Sequence, residues 1–422
     1  MRVRHIVLAA LLACVSPTTG KAQAFDAYCN KPDSAPAMRQ TVILLDEHDV
    51  RAEPGGVVNP GNRPWRQYLG MLLLPANASL LEQNFAPRER VSIALVRKDG
   101  AGLRQIFTGC LPFFSPAERA RIARDAGMMQ HVHEFFGSGP TARARQDMDL
   151  FRIQLGNAFK SALDPSALSS GNERNDAPAA SSLVASLKQA KLFNPYYGLP
   201  RIILFSDLAR LFHDLPQDRT RARKWGFEQG FRSDIDFGNA ELYVSGLRGA
   251  QSGSLRDGLE AFALASHAEL AGVGPFASLP SFRPTPQRIY RFNGLVQYPD
   301  NRFPIRIRLA LDENGGLVNS WLSVQTSREQ FVPLHGTLTC ESGNACVFSG
   351  DQQFSQLWNP SRGADGEPAF GEALPFGGAR SLNFHIRDGR LAGSISDSLV
   401  RFAGLKSFRL EFSATAQPNA RF

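Results

Sequence analysis

The sequence predicts an α/β protein with an all-β part behind it. The first part is a mainly parallel, open, twisted sheet with helices on both faces, and the second an antiparallel barrel or sandwich. Three observations predict this. Thr41–Asp46 (TVILLD) and Arg201–Asp207 (RIILFSD) are apolar, β-branched runs that end abruptly in a carboxylate, as strands buried on both faces do. Segments of helical period lie between such runs, the alternation of a sheet covered on both sides. Beyond Gln287 the period changes to two: Ile305, Ile307, Leu309 and Leu311 alternate with Arg306, Arg308 and Ala310, one face apolar and the other mostly wet.

At 422 residues the chain exceeds one ordinary core, and two domains are expected. Arg2 and Arg4 precede the apolar run Ile6–Val15, which leads to Ala22-Gln23-Ala24. This is the order of a secretory signal peptide, cleaved before Phe25, and its apolar run is too short to span a bilayer. Leu11-Leu12-Ala13-Cys14 is a competing lipobox-like sequence that would anchor the chain at Cys14. The expected organisation is a signal peptide at 1–24, an α/β domain at 25–271, a linker at 272–286 and a β domain at 287–422, in an exported, periplasmic or secreted protein. Removing the signal leaves Cys29, Cys110, Cys340 and Cys346. An even number in an exported chain points to disulfides, and the pairs favoured are Cys29–Cys110 and Cys340–Cys346. No C-x-x-C occurs and no His stands at ligand spacing from a Cys, so a zinc site on these thiols is a poor reading.

The elements follow in order. Phe25–Arg39 is polar and proline-bearing, expected as an extended arm tethered at Cys29. Glu53–Arg63 is loop by its Pro, Gly and Asn content. Trp65–Leu74 and Ser79–Phe85 read as helical turns separated by Pro75. Arg90–Arg97 and Leu103–Cys110 flank the short KDGAG, an antiparallel hairpin. Ser115 and Pro116 open a short helix to Arg124. Over Thr141–Leu163, the residues Met148, Phe151, Leu155, Phe159 and Leu163 recur at helical steps. Asp164–Ala180 is a long polar loop. Ser181–Phe193 and Arg219–Gly230 are helices, Glu241–Gly246 (ELYVSG) is a strand, and Ser254–Leu270 is a helix capped by Ser254. The Pro-, Ser- and Gly-bearing stretch Gly272–Pro286 is the linker. Strands are then expected at Ile289–Tyr298, Phe303–Asp312, Gly316–Val324, Phe331–Cys340, Ala345–Gly350, Ser381–Arg387, Arg390–Ser396 and Ser407–Ala414, with turns at Asp312–Gly316 and Asp388-Gly389.

The order of elements over residues 40–271 resembles a von Willebrand factor A domain. TVILLD resembles that family's first strand, which ends in the metal-site aspartate. SSLVASLKQAKLF followed by RIILFSD resembles its helix and fourth strand, with Asp207 at the second aspartate. FGNAELYVSGL resembles the next strand, which runs into a glycine, and the hairpin Arg90–Cys110 sits where the family has one. The resemblance implies an adhesion site of D-x-S-x-S, a threonine and a further aspartate around a divalent cation, usually Mg²⁺. Here Asp46 matches, His48 and Val50 replace both serines, Ser181 or Ser182 stands for the threonine, and Asp207 for the third loop. Val50 offers no oxygen to a hard cation, and His48 shifts preference toward a softer metal such as Zn²⁺ or Mn²⁺. The rim formed by Asp46, His48, Asp49, Ser181, Ser182 and Asp207 is therefore either a degenerate, metal-free binding surface or a metal site on Asp46 and Asp207.

Other constellations carry less. His131-Val132-His133-Glu134 lacks the second His of H-E-x-x-H, since position 137 is Gly. Gly249-Ala250-Gln251-Ser252-Gly253 puts Gln where a nucleophile-elbow Ser belongs. No phosphate-binding P-loop or G-x-G-x-x-G occurs. Trp321, Phe354, Trp358, His335 and His385 would line a ligand cup in the β part or fill its core. The formal charge is +8, but the basic residues are scattered, which is not the stripe of a nucleic-acid reader.

Two functions remain. One is a non-enzymatic binding protein for a protein or envelope-surface partner, with no cofactor and no transmembrane segment after the signal. The other is a metal-assisted hydrolase gathering Asp46, His48, Asp49 and Asp207 at the strand ends.

Overall fold

The computed structural model describes residues 25–29, 39–50, 64–73, 84–97, 100–125, 139–162, 179–188, 192–193, 198–208, 211–247, 252–275, 282–297, 301–325, 329–340, 345–353, 361–362, 368–369, 379–397 and 409–416. The expected signal peptide with Cys14, the His131/His133 pair, Phe354 and Trp358 lie outside these residues.

Strands β1 (Arg39–Asp46), β2 (Arg90–Val96), β3 (Leu103–Cys110), β4 (Leu199–Phe205), β5 (Ala240–Leu247) and β6 (Ala268–Pro275) form one sheet in the order β3-β2-β1-β4-β5-β6. Every neighbouring pair is parallel except the β2–β3 hairpin, which leaves an antiparallel edge. Eight helices are described: α1 (Asp26–Cys29), α2 (Glu47–Val50), α3 (Pro64–Leu73), α4 (Pro116–Asp125), α5 (Pro140–Ala162), α6 (Ala179–Lys188), α7 (Arg219–Ser233) and α8 (Gly253–Ala265).

The two-residue period of the strands sorts their side chains into two cores. Ile43, Leu45, Ile93, Leu95, Ile203 and Phe205 meet Tyr68 and Leu72 of α3 and Phe151 and Leu155 of α5. Val42, Leu44, Val96, Ile202, Leu204 and Val244 meet Leu183 and Leu187 of α6 and Leu259 and Phe262 of α8. Both faces are thus covered, which is why TVILL and RIILF read as unbroken apolar runs. The start of α4 is a reciprocal cap: Ser115 Oγ accepts from the Glu118 amide at 3.1 Å and Glu118 Oε2 accepts from the Ser115 amide at 3.0 Å. Disulfide Cys29–Cys110 fastens α1 to β3.

The stretch expected as one helix over Ser254–Leu270 is two elements. Helix α8 stops at Ala265, Ser266 leaves helical geometry, and His267 takes a left-handed conformation at φ 54°. The chain then runs into β6, whose Gly272, Val273, Gly274 and Pro275 pair with β5. The first four residues of the expected linker 272–286 therefore belong to the sheet. Phe282, near the far end of that stretch, packs its ring on Tyr68 and Tyr243.

The remaining strands are β7 (Arg288–Gln297), β8 (Arg302–Leu311), β9 (Ser320–Gln325), β10 (Glu329–Leu334), β11 (Thr339–Cys340), β12 (Cys346–Gln353), β13 (Ser361–Arg362), β14 (Pro368–Ala369), β15 (Ala379–Arg387), β16 (Arg390–Asp397) and β17 (Arg409–Ala416). Nine of them form one antiparallel sheet, β10-β9-β8-β7-β17-β16-β15-β12-β11, curled as a half-barrel, and β13 and β14 pair separately. The sheet curls around a single core that joins Phe292, Ile307, Leu322, Phe348, Phe384 and Phe412. The described strands therefore make neither a closed barrel nor two stacked sheets: strand order runs from edge to edge. Disulfide Cys340–Cys346 joins register partners of β11 and β12.

Candidate functional site

Strand order reverses between β1 and β4: the chain passes from β1 to β2 on one side, and β4 and β5 follow on the other. The carboxyl ends of the two strands flanking such a reversal form a ligand-binding crevice in open α/β sheets. Leu45 is the register partner of Phe205, so Asp46, the last residue of β1, and Ser206, the first after β4, stand side by side.

At this rim the two loops are joined by hydrogen bonds. The Ser206 hydroxyl donates to Asp46 Oδ2 at 2.9 Å and accepts from the Leu208 amide at 3.1 Å. Asp49, in the short helix α2, accepts the amide of Asp207 at 2.8 Å through Oδ2. Glu47, between them, is buried at 1 % exposure. The third strand contributes backbone. The Ser206 amide donates to Ser245 O at 3.0 Å, and Gly246 turns away at φ +105°, where a Cβ would stand 3.3 Å from Ser206 O. That backbone conformation favours glycine.

The structure thus brings Asp46, Asp49 and Asp207 to one rim. His48 lies in α2, and Ser181 and Ser182 lie in the first turn of α6; the side chains of these three are outside the described part. Among the described residues no group of three or more His, Cys, Asp or Glu is arranged to hold a metal ion. Asp46 and Asp49 each accept a protein donor at this rim.

At the opposite, amino-terminal ends of the same strands lies a buried ionic network that sequence reasoning missed. Arg201 donates to Thr41 Oγ1 at 2.7 Å, to Asn84 O at 3.0 Å and to Glu89 Oε1 at 2.9 Å. Arg39 lies 3.5 Å from Glu241 and donates to Thr285 Oγ1 and Pro284 O. Arg283 pairs with Glu269 at 2.6 Å, and its amide donates to the Tyr243 hydroxyl at 2.9 Å. The network therefore anchors the segment 282–285 against the sheet. Burial raises Tyr68 and Tyr243, the latter to about 12, so both phenols stay protonated here. A signal for the network was present: Arg39, Arg201, Glu241 and Glu269 each stand at or within two residues of a parallel-strand start. A charge placed just before an apolar run normally reads as the solvated end of a strand, and only strand pairing turns these into partners.

Of the aromatic and histidine residues expected to form a cup in the β part, Trp321 and His385 stand on strands between core positions, away from the core face. His335 lies 3.2 Å from Glu269 of the six-stranded sheet. The concave face is filled by the apolar core instead. No described helix is long and apolar enough to cross a membrane. No protein-family model matches the chain, and no curated protein matches it in sequence.

Proposed function

We propose that the chain is an exported, non-enzymatic recognition protein of von Willebrand factor A-like design. Its rim at the carboxyl ends of β1 and β4 engages a protein or cell-envelope partner, and the β-rich half is accessory. The observation that carries this reading is the bridging of the two rim loops across the strand-order reversal, Asp46 by Ser206 and Asp49 by the Asp207 amide. An antiparallel edge hairpin on an otherwise parallel sheet supports the same resemblance, and the two disulfides support export.

The rim is a degenerate adhesion site. Carboxylates gathered at one rim repel unless a cation or hydrogen-bond donors relieve them. Here a hydroxyl and a backbone amide supply the donors, so partner binding does not require a divalent ion.

The test places a photocrosslinking residue at His48 in the exported chain, with Arg288 on the β-rich half as the control position. The expected result is an adduct specific to His48 that persists in EDTA and is lost with Asp49→Ala. Micromolar Mg²⁺ binding in calorimetry, abolished by Asp46→Ala, would replace this reading with metal-dependent adhesion. Metal-dependent ester or phosphoester hydrolysis lost in the same variant would replace it with a hydrolase.

A further inference from the structure

A cleft of about 440 Å³ opens between the amino ends of β1, β4 and β5 and the face of the curled sheet that lies away from its core. It stands at the other end of the parallel strands from the rim. Phe193, Pro200 and Asn239 line it from one side, and Arg291, Arg306 and Trp321 from the other. No Asp or Glu is among its lining residues.

Its charge is unbalanced. Arg291 and Arg308 are register partners on β7 and β8, and like charges directly opposite on a ladder repel. Arg306, two residues from Arg308 on the same face, is neutralised by Glu329. The hydrogen bonds of Arg308 go to neutral groups, Asn319 O at 3.1 Å and Asn239 O at 2.9 Å, and it lies 5.1 Å from the Trp321 ring centroid; Glu241 and Glu269 attract its charge without forming an ion pair with it. Burial, and then the neighbouring Arg291, push Arg308 down to about 9. Burial lowers Arg291 as well. Arg291 has no ion pair or side-chain hydrogen bond among the described residues. The indole N–H of Trp321 is closed off from solvent and finds no acceptor there either. The nearby glutamates are engaged elsewhere, Glu241 beside Arg39 and Glu269 with Arg283. The lining is rich in donors and positive charge and lacks an anion.

We propose that this cleft binds a small oxyanion-bearing molecule, a carboxylate or a phosphate ester, with its charged end on Arg291 and its apolar body against Phe193 and Trp321. A guanidinium offers paired, charge-assisted hydrogen bonds to either oxyanion. The cleft has the size and the mix of aromatic wall and few polar groups of small-molecule sites.

The test is calorimetry and thermal melting of the mature full-length protein with two probes, benzoate and inorganic phosphate. At least one probe is expected to bind and raise Tm. Arg291→Ala is expected to weaken that binding about tenfold or more and to abolish the Tm response. Arg291→Lys should retain part of it. Arg288→Ala, exposed on the same strand and outside the lining, should leave it unchanged. Tighter benzoate binding assigns the ligand to carboxylates with a flat apolar body; tighter phosphate binding assigns it to phosphate esters. Binding of neither probe, or equal binding by the wild type and folded Arg291→Ala, overturns the proposal. Since Arg291 faces Arg308, the ligand-free Arg291→Ala protein is expected to melt no lower than the wild type. If that variant fails to fold, Arg291→Gln serves the same comparison.

Discussion

Arg201 and Glu89 form an ion pair at 2.9 Å with both side chains wholly enclosed. Phe85 and Phe282 stack their rings on the guanidinium at 5.1 and 5.2 Å. An enclosed charge stripped of its partner is far costlier than the pair is stabilising. Glu89→Leu is therefore expected to lower stability by about 3–5 kcal/mol, while the double variant Glu89→Leu/Arg201→Met recovers most of that loss. Urea denaturation of the three proteins checks this, and equal losses in the single and double variants would count against it.

Helices α7 and α8 touch through glycines. A Cβ at Gly226 would stand 2.0 Å from the carbonyl oxygen of Gly258, a backbone atom that cannot swing aside. Gly226→Ala must push the helices apart and is expected to cost about 1–3 kcal/mol or more. At Gly70, on α3, a Cβ would meet nothing within 4 Å, so Gly70→Ala is expected to be neutral or to stabilise by up to about 1 kcal/mol. Chemical denaturation of the two variants separates the cases.

His267 and Asp236 are expected to make stability depend on pH. His267 Nδ1 lies 3.4 Å from Asp236 Oδ1, and Nε2 lies 3.3 Å from the carbonyl oxygen of Glu329 in the β-rich half. Burial opposes the charged imidazole, but the hydrogen bond and charge of Asp236 outweigh it, and the net shift of His267 is upward from 6.5. The hydrogen bond from His267 lowers Asp236 below 3.8. A raised histidine stabilises below its unfolded pKa, and that contribution is lost as pH rises through the folded value. A lowered aspartate stabilises above its unfolded pKa and loses that contribution as pH falls through the folded value. The pair is thus fully effective between about 4 and 6.5. Melting curves across that range and up to alkaline pH should show Tm falling on the alkaline side, with His267→Gln flattening the fall. An unchanged profile in that variant would refute the coupling.

The rim was legible in sequence because its residues follow directly on their strands. Asp46 and Asp207 are the first acidic residues after unbroken apolar runs, so locating the strands located them. Helices α3 to α7 and the hairpin β2–β3 were legible for a similar reason: caps, breakers and periodicity act over a few residues. Strand β6 was not. AELAGVG carries two alanines and two glycines and no strong strand former beyond Val273, and it becomes a strand by pairing with β5. The break before it rests on His267 at positive φ, where sequence reasoning would look for glycine.

By itself the sequence determined the two periodicities, and with them a doubly covered parallel sheet followed by antiparallel strands, as well as the cysteines available for pairing. Local repetition of side-chain type is enough for these, because each face of a strand or helix repeats its demand along the chain. Only the tertiary structure decided which charges are buried together, how the β-rich sheet curls and where the cleft lies. Glu89 and Arg201 are 112 residues apart and meet through the β2-β1-β4 order. Arg308 and Asn239 are 69 apart and meet where the two sheets adjoin. A charged side chain carries no mark of its future partner in its own neighbourhood. Its role is set by strand order and register, which put a distant residue within hydrogen-bonding reach.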